Sequence, residues 1–329
     1  MDFQSLLDIS VIIVNYRSWD SLKECLDSFK EINAKDYSYE LIVVDNDSAD
    51  GKLENFKTEY PEVNFIKNSG NNGFANGCNT GASHATGSFL LFLNPDTKIE
   101  EGVLPQLHRT YKNNPEIAIL SCLQVNEAGN YYKQRNLFPS FSRFFGLTRA
   151  VYRLLKKKSL ERKFEIKNKL FYPDWVTGAV VFISRDWFER VNGWNEDYWM
   201  YLEDVDLCKK VVAKGGKIAV TIEAAIFHKH GGASRTNYKT KAITKSEVII
   251  SKHVYISNHF SGIKRPVLHL LLILGVLSEK IILSVLLILF APSKAKLNFF
   301  ILKKLFAYYT NAISNNTWLS KRSVNYQKS

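Results

Sequence analysis

The apolar positions of the first hundred residues fall in short unbroken runs separated by polar segments. Ser10-Val11-Ile12-Ile13-Val14, Tyr39-Glu40-Leu41-Ile42-Val43-Val44 and Ser88-Phe89-Leu90-Leu91-Phe92-Leu93 read as strands covered on both faces. Val63-Asn64-Phe65-Ile66 predicts a shorter strand. Asp20-Ser21-Leu22 opens a helix that places Leu22, Cys25, Leu26 and Phe29 on one face. Strands alternating with helices imply an α/β fold, an open parallel sheet flanked by helices. In such sheets ligands bind beyond the carboxyl ends of the strands, where Asp45 and Asp96 lie.

Beyond residue 100 the alternation loosens. Ile117-Ala118-Ile119-Leu120-Ser121-Cys122 predicts another strand, and residues 141–169 predict one or two basic amphipathic helices. Val176 to Ile183 reads as a strand carrying Gly178, and Lys217 to Thr221 as a short strand leading towards His228 and His230. Pro266 to Leu277 and Ile281 to Pro292 are apolar blocks split by Ser278-Glu279-Lys280. Neither block reaches the roughly 18 residues of a spanning helix. Joined, they would place two charges mid-bilayer at roughly 2.5–3.5 kcal/mol each. Their many Leu, Ile, Val and Phe residues offset that at about 0.3–0.6 kcal/mol apiece. Spanning and interfacial arrangements both satisfy this arithmetic, as does a buried pair of core helices. The charged break favours two interfacial or re-entrant helices with Glu279 and Lys280 at the water side.

Composition narrows the class. A chain of 329 residues with 46% hydrophobic and 23% charged residues is globular, one large domain or one with appendages. Cys25, Cys78, Cys122 and Cys208 form no CxxC pair, which fits reduced thiols and no zinc site. The apolar run Val11 to Val14 is too short for a signal peptide. The net charge of +12 is unevenly spread: residues 133–169 hold 12 Lys and Arg against two acids, and residues 262–329 hold 10 against one. The rest of the chain is acidic. Both basic segments are also rich in Leu, Ile and Phe, which suits an anionic membrane surface and argues against nucleic acid.

Candidate chemistry concentrates in two acidic signals. Glu203, Asp204 and Asp206 stand within four positions, just before the helical pattern of Leu207, Val211 and Val212. Acids so close repel one another unless a metal, a proton transfer or a helix N-terminus uses them. Asn94-Pro95-Asp96 offers a hard oxygen ligand at a strand end, apt for Mg2+ or Mn2+ bridging a diphosphate. Asp45 can accept hydrogen bonds from a nucleobase or a ribose, or serve its own turn. The Gly- and Asn-rich stretch Asn68 to Gly81 permits close backbone approach to a ligand and leads into a helix through Phe74, Ala75, Cys78 and Ala82.

In this order the motifs resemble the inverting family 2 glycosyltransferases of GT-A fold. The resemblance rests on Val11-Ile12-Ile13-Val14-Asn15-Tyr16, Val43-Val44-Asp45-Asn46-Asp47-Ser48-Ala49-Asp50-Gly51 and Asn71-Asn72-Gly73-Phe74-Ala75. It continues through Phe92-Leu93-Asn94-Pro95-Asp96, Gly178 with Arg185, Gly193-Trp194-Asn195-Glu196 and Tyr201-Leu202-Glu203-Asp204-Val205-Asp206-Leu207. It covers about residues 8–260 and is most similar to the bacterial rhamnosyltransferase-like branch, although Ser257 stands where that branch commonly has Arg.

The resemblance implies a mostly parallel Rossmann-like sheet in a catalytic domain over residues 1–260 and membrane-associating helices over 261–329. It implies that Asn15, Tyr16 and Asp45 bound the nucleobase, with Asn72, Gly73 and Asn94 also on the donor side. Asp96 would be the retained metal ligand of an Asp-x-Asp motif, weakened by the neutral Asn94. Asp204 matches the catalytic base, Glu203 supports it, and His228 or His230 matches a histidine that holds the metal or diphosphate. The implied partners are a dTDP- or UDP-linked sugar donor, with L-rhamnose the favoured sugar, and a polyprenyl-diphosphate-linked saccharide acceptor. The implied location is the cytoplasmic face of the plasma membrane. A nucleotidyltransferase is the main rival, but it would favour a glycine-rich phosphate loop after the first strand, and Asn15-Tyr16-Arg17-Ser18-Trp19 has no glycine. A non-catalytic membrane scaffold would need neither Asp96 nor Glu203-Asp204.

Overall fold

The structure, a computed structural model, describes residues 8–32, 37–229 and 238–327. The first apolar run becomes β1 (Asp8–Asn15), central and parallel to β2 (Ser38–Asp45); β3 (Asn64–Lys67) extends this side and β4 (Phe89–Leu93) lies on the other, also parallel. Ile9, Val11, Ile12 and Ile13 are all buried because both faces of β1 are covered, as the unbroken run requires. On one face α1 (Trp19–Lys30) buries Leu22, Cys25, Leu26 and Phe29. α2 (Lys52–Glu59) joins β2 to β3, and α3 (Phe74–His84) joins β3 to β4. Gly77 and Gly81 let α3 lie directly on β1: an added Cβ would meet Val14 Cγ1 at 2.6 Å and Ile12 Cγ2 at 2.4 Å respectively.

The remaining strands make the sheet mixed. β5 (Thr97–Lys98) precedes α4 (Val103–Lys112), β6 (Ile117–Val125) follows, and β7 (Leu170–Phe171) and β8 (Val180–Ser184) come after a basic helical insertion. The order is β3-β2-β1-β4-β8-β6-β9-β5, with β9 (Lys217–His228) also pairing β7. β8 runs antiparallel to both β4 and β6. Two predicted boundaries shift. The strand expected from Val176 starts at Val180, because Thr177, Gly178 and Ala179 turn aside to hydrogen-bond elsewhere. The strand expected to end at Thr221 runs on to His228, its second half pairing with Leu123–Val125 beyond a register shift.

The basic insertion forms a short 3-10 turn (Phe141–Arg143), α5 (Gly146–Leu155) and α6 (Lys157–Lys163). α7 (Arg185–Arg190) follows β8, and α8 (Glu203–Ala213) leads to β9.

The chain divides into two compact units, one of residues 1–72, 76–195 and 203–233, the other of 73–75, 196–202 and 234–329. In the second, α9 (Tyr238–His259), α10 (Lys264–Phe290) and α11 (Pro292–Ser314) precede the short α12 (Val324–Gln327). His253 and His269 meet through their Nδ1 atoms at 2.8 Å beneath the stacked indole of Trp318. The two helices expected from the split apolar blocks are one. Ser278, Glu279 and Lys280 contain no helix breaker, and Lys280 pairs with Glu279 at 2.7 Å, so α10 continues through them. Its stretch Lys264–Leu287, of mean hydropathy 2.4, is long and apolar enough to cross a membrane. Only 11% of that stretch is buried, which a core helix would not show.

Gly73 belongs to this second unit and has a steric reason to be glycine. Its φ is +94°, and an added Cβ would lie 2.2 Å from the carbonyl oxygen of Trp199, which accepts the Phe74 N–H at 3.0 Å. Gly73→Ala is therefore expected to cost about 1–3 kcal/mol from overpacking, plus backbone strain. Urea denaturation would read this as a lower midpoint at unchanged slope; an unchanged midpoint would mean that the Trp199 carbonyl moves aside freely.

Candidate active site

The loops after β1 and β2 are stitched together by side chains. Asn15 donates its amide to Asp45 Oδ1 at 3.1 Å and accepts the Ser18 N–H at 3.2 Å. Ser48 donates both its hydroxyl and its backbone N–H to Asp45. Arg17, at φ +54°, donates its backbone N–H to Ser48 Oγ at 2.8 Å and its Nε to Ser48 O at 2.9 Å. Trp19 Nε1 donates to Asp50 at 2.7 Å. These bonds define a rigid wall at the carboxyl end of two adjacent parallel strands. Asn15 and Asp45 are its buried fasteners, and Tyr16, 39% exposed with the Arg17 guanidinium over its ring, is its aromatic surface. Asn72 is bound within its own loop, donating to Ser69 Oγ at 3.1 Å.

Asp96 and His228 converge where β4 ends and β9 ends. Asp96 Oδ1 and His228 Nε2 are 3.3 Å apart, and both side chains are buried. The other ring nitrogen, Nδ1, meets Gln124 Oε1 at 2.9 Å, while Gln124 Nε2 donates to Thr177 Oγ1 at 3.1 Å. With Nδ1 bearing the proton towards Gln124, the Nε2 lone pair faces a carboxylate oxygen. Two acceptors that close call for a cation between them, either a proton or a metal ion. Among the described residues no group of three His, Cys, Asp or Glu side chains could hold a metal. Two donors nevertheless fit a hard divalent cation that takes its other ligands from phosphate and water. Asn94 contributes backbone here: its N–H donates to Ala179 O at 3.2 Å, and its carbonyl accepts the Thr97 hydroxyl at 2.7 Å. His230 lies outside the described residues.

Glu203 and Asp204 begin α8, so their charges face the positive end of its dipole. The chain enters this turn through Tyr201 and Leu202, at φ +74° and +67°. Two successive left-handed non-glycine residues store strain beside the acids. Glu203 is buried, and its Oε2 has no hydrogen-bond partner among the described residues. Burial, then the charges of Asp204 and Asp206, push its carboxyl well above the usual range. Asp204 is partly exposed and accepts the Val205 N–H at 2.8 Å and the Gly178 N–H at 3.2 Å. Burial raises it to about 6, and those N–H groups restrain the rise. The proton therefore rests on Glu203, and Asp204 is the carboxylate that ionises near neutrality.

One three-residue loop connects these parts. Thr177 holds Gln124 and through it His228, Gly178 holds Asp204, and Ala179 holds Asn94. Gln124 and Thr177 were not among the residues read from the sequence as functional. A buried glutamine ending the apolar run Ile117–Leu123 was the available signal.

The glycosyl transferase family 2 model matches residues 10–204. A low-salt glycan biosynthesis hexosyltransferase of Haloferax volcanii is 25% identical over 62% of this chain and 62% of its own length, so the chain spans less than two thirds of that relative. A rhamnosyltransferase of Escherichia coli is 28% identical over 64% of this chain and 79% of its own. An N-acetylglucosaminyl-diphospho-decaprenol L-rhamnosyltransferase of Mycobacterium tuberculosis is 24% identical over 69% and 78%. Among solved structures, a mannosyltransferase of Pyrobaculum calidifontis in complex with GDP-Man and Mn2+ superposes with TM-score 0.51 at 16% identity, covering 91% of this chain and 86% of that one. GalNAc-T7 with UDP, GalNAc and Mn2+ gives 0.53 at 19%, covering 74% and 48%. At such identities these structures share the fold alone.

Proposed function

The chain belongs to glycosyl transferase family 2, and we propose that it moves one sugar, L-rhamnose, from a dTDP- or UDP-linked donor to a hydroxyl of a polyprenyl-diphosphate-linked glycan. The product belongs to a bacterial surface polysaccharide of O-antigen or capsule type, made at the cytoplasmic face of the plasma membrane. The observation that carries this reading is the Thr177–Ala179 loop, which fixes a carboxylate raised to about 6 in one frame with the Asp96–His228 pair. Two relatives whose names specify rhamnosyl transfer, one of them onto a diphospho-decaprenol, support the sugar and the lipid.

The wall of Asn15, Tyr16 and Asp45 orients the nucleotide. Asp96 and His228 would hold Mg2+ or Mn2+, whose charge offsets that gathering on the leaving diphosphate. Asp204 takes the proton of the acceptor hydroxyl as its oxygen attacks the anomeric carbon. A single in-line displacement inverts that carbon and needs no enzyme nucleophile. Glu203, holding its proton, adds no second charge beside the base. Basic, apolar segments and the uncovered face of α10 support a membrane-bound acceptor.

A donor panel tests the proposal. dTDP-rhamnose, UDP-galactofuranose, UDP-galactose and UDP-N-acetylhexosamines are each incubated with the full chain, Mn2+ and a lipid-linked saccharide. Preferred turnover of dTDP-rhamnose with anomeric inversion is expected. Preference for a UDP-hexose would transfer the assignment to a hexosyltransferase, the activity named for the Haloferax relative.

A further inference from the structure

The helical insertion between β6 and β7 presents a surface that the transfer chemistry does not use. Phe144 and Phe164 are buried and hold it to its domain, while Leu154 and Leu155 project with 76% and 78% of their surface exposed. With Val151, also exposed, they form one stripe of α5 at spacings of three and four. Arg149 and Arg153, four apart, occupy the other side of the helix. Lys156, Lys157 and Lys158 crowd the junction with α6, and all five cations are exposed. Residues 146–163 carry seven Lys and Arg against one acid, Glu161. An exposed leucine stripe is unfavourable in water, and a polyanion alone would satisfy the cations while leaving it wet. An anionic bilayer takes both, with leucines in the acyl boundary and cations among the phosphates.

The attachment of this insertion bears on the reaction. Asp174 accepts Lys163 Nζ of α6 at 2.7 Å and the Phe138 N–H at 2.8 Å, and donates its own N–H to Asn136 O at 3.0 Å. Trp175 Nε1 donates to Leu137 O at 3.2 Å. Four residues after Asp174, the Gly178 N–H holds Asp204. One short segment is thus clamped to the insertion at one end and to the base at the other.

We propose that α5 and α6 form a foot that inserts into an anionic lipid bilayer and sets Asp204 at the level of the acceptor's hydroxyl. The proposal rests on the reading of a lipid-linked acceptor and adds a second membrane contact, independent of α10.

The four native cysteines are buried, so an introduced surface cysteine can carry an environment-sensitive fluorophore in the full chain. Leu155→Cys reports on the foot, and Ile282→Cys, exposed on α10, reports on the other contact. Vesicles of phosphatidylcholine with phosphatidylglycerol are compared with phosphatidylcholine alone. The label at position 155 is expected to brighten several-fold on anionic vesicles and little on neutral ones. Lys156→Gln, Lys157→Gln and Lys158→Gln together should raise the anionic lipid needed by roughly 10- to 100-fold at low salt. A responding label on α10 with a silent label at 155 overturns the foot and leaves the membrane reading standing. Equal responses at 155 on both vesicle types overturn the commitment to anionic lipid. Silence of both labels removes the membrane reading and the foot with it.

Discussion

Asp204→Asn is expected to lower kcat by roughly 10²–10⁴-fold while donor affinity is retained, the usual weight of general-base catalysis. The exchange is nearly isosteric and keeps an oxygen to accept the Gly178 and Val205 N–H groups, so the Thr177–Ala179 loop should stay in place. The pH profile gives an independent readout. A base must be ionised to act, and burial raises Asp204 from the ordinary aspartate range to about 6. Wild-type kcat should therefore climb as pH rises through about 6 and level off above it. The residual activity of the asparagine variant should lack that limb. Glu203→Gln copies the protonated form that burial already imposes, so it should leave the limb near its wild-type position and the rate within about tenfold. Should Glu203→Gln prove the more damaging change with donor still bound, the two roles must be exchanged.

The parts legible in the sequence are those whose cause is local. Val11 to Val14 is buried on both sides because it is apolar at every position, and the face of α1 follows from its spacing. Asp45, Asp96 and Asp204 stand out because polar residues end apolar runs or open a helix. What was not legible depends on partners far along the chain. Gln124 and Thr177 are 53 residues apart, and Gln124 and His228 are 104 apart. No short-range pattern reports such a bond. β5 and β7 have two residues each and exist only because β9 is long enough to pair with them. The unequal protonation of Glu203 and Asp204 is a matter of burial, and adjacent acids in a sequence look alike. The break expected at Ser278-Glu279-Lys280 failed because charge was weighed against helix continuity, and a charged residue without glycine or proline does not interrupt a helix.

Asp96→Ala is expected to reduce transfer on the order of 10³-fold or more, because it removes the only carboxylate in the pair facing the diphosphate. The decisive readout is binding, not turnover. Wild-type protein should bind nucleotide diphosphate more tightly when Mn2+ is added, and the alanine variant should show no such increase by calorimetry. Thermal unfolding without metal should remain cooperative, since losing Asp96 also relieves a buried charge that only His228 faces at close range. Gln124→Leu separates positioning from ligation. It keeps both donors but removes the oxygen that receives Nδ1, so the imidazole can turn or change tautomer. Outer-sphere partners of this kind are typically worth about 10–100-fold in metal affinity. Gln124→Leu should accordingly bind Mn2+ more weakly by that factor, yet recover transfer when Mn2+ is raised, which Asp96→Ala should not. Wild-type activity that persists unchanged in excess chelator would take the metal out of the mechanism. The Asp96–His228 contact would then be a protonated ion pair that receives the diphosphate by itself.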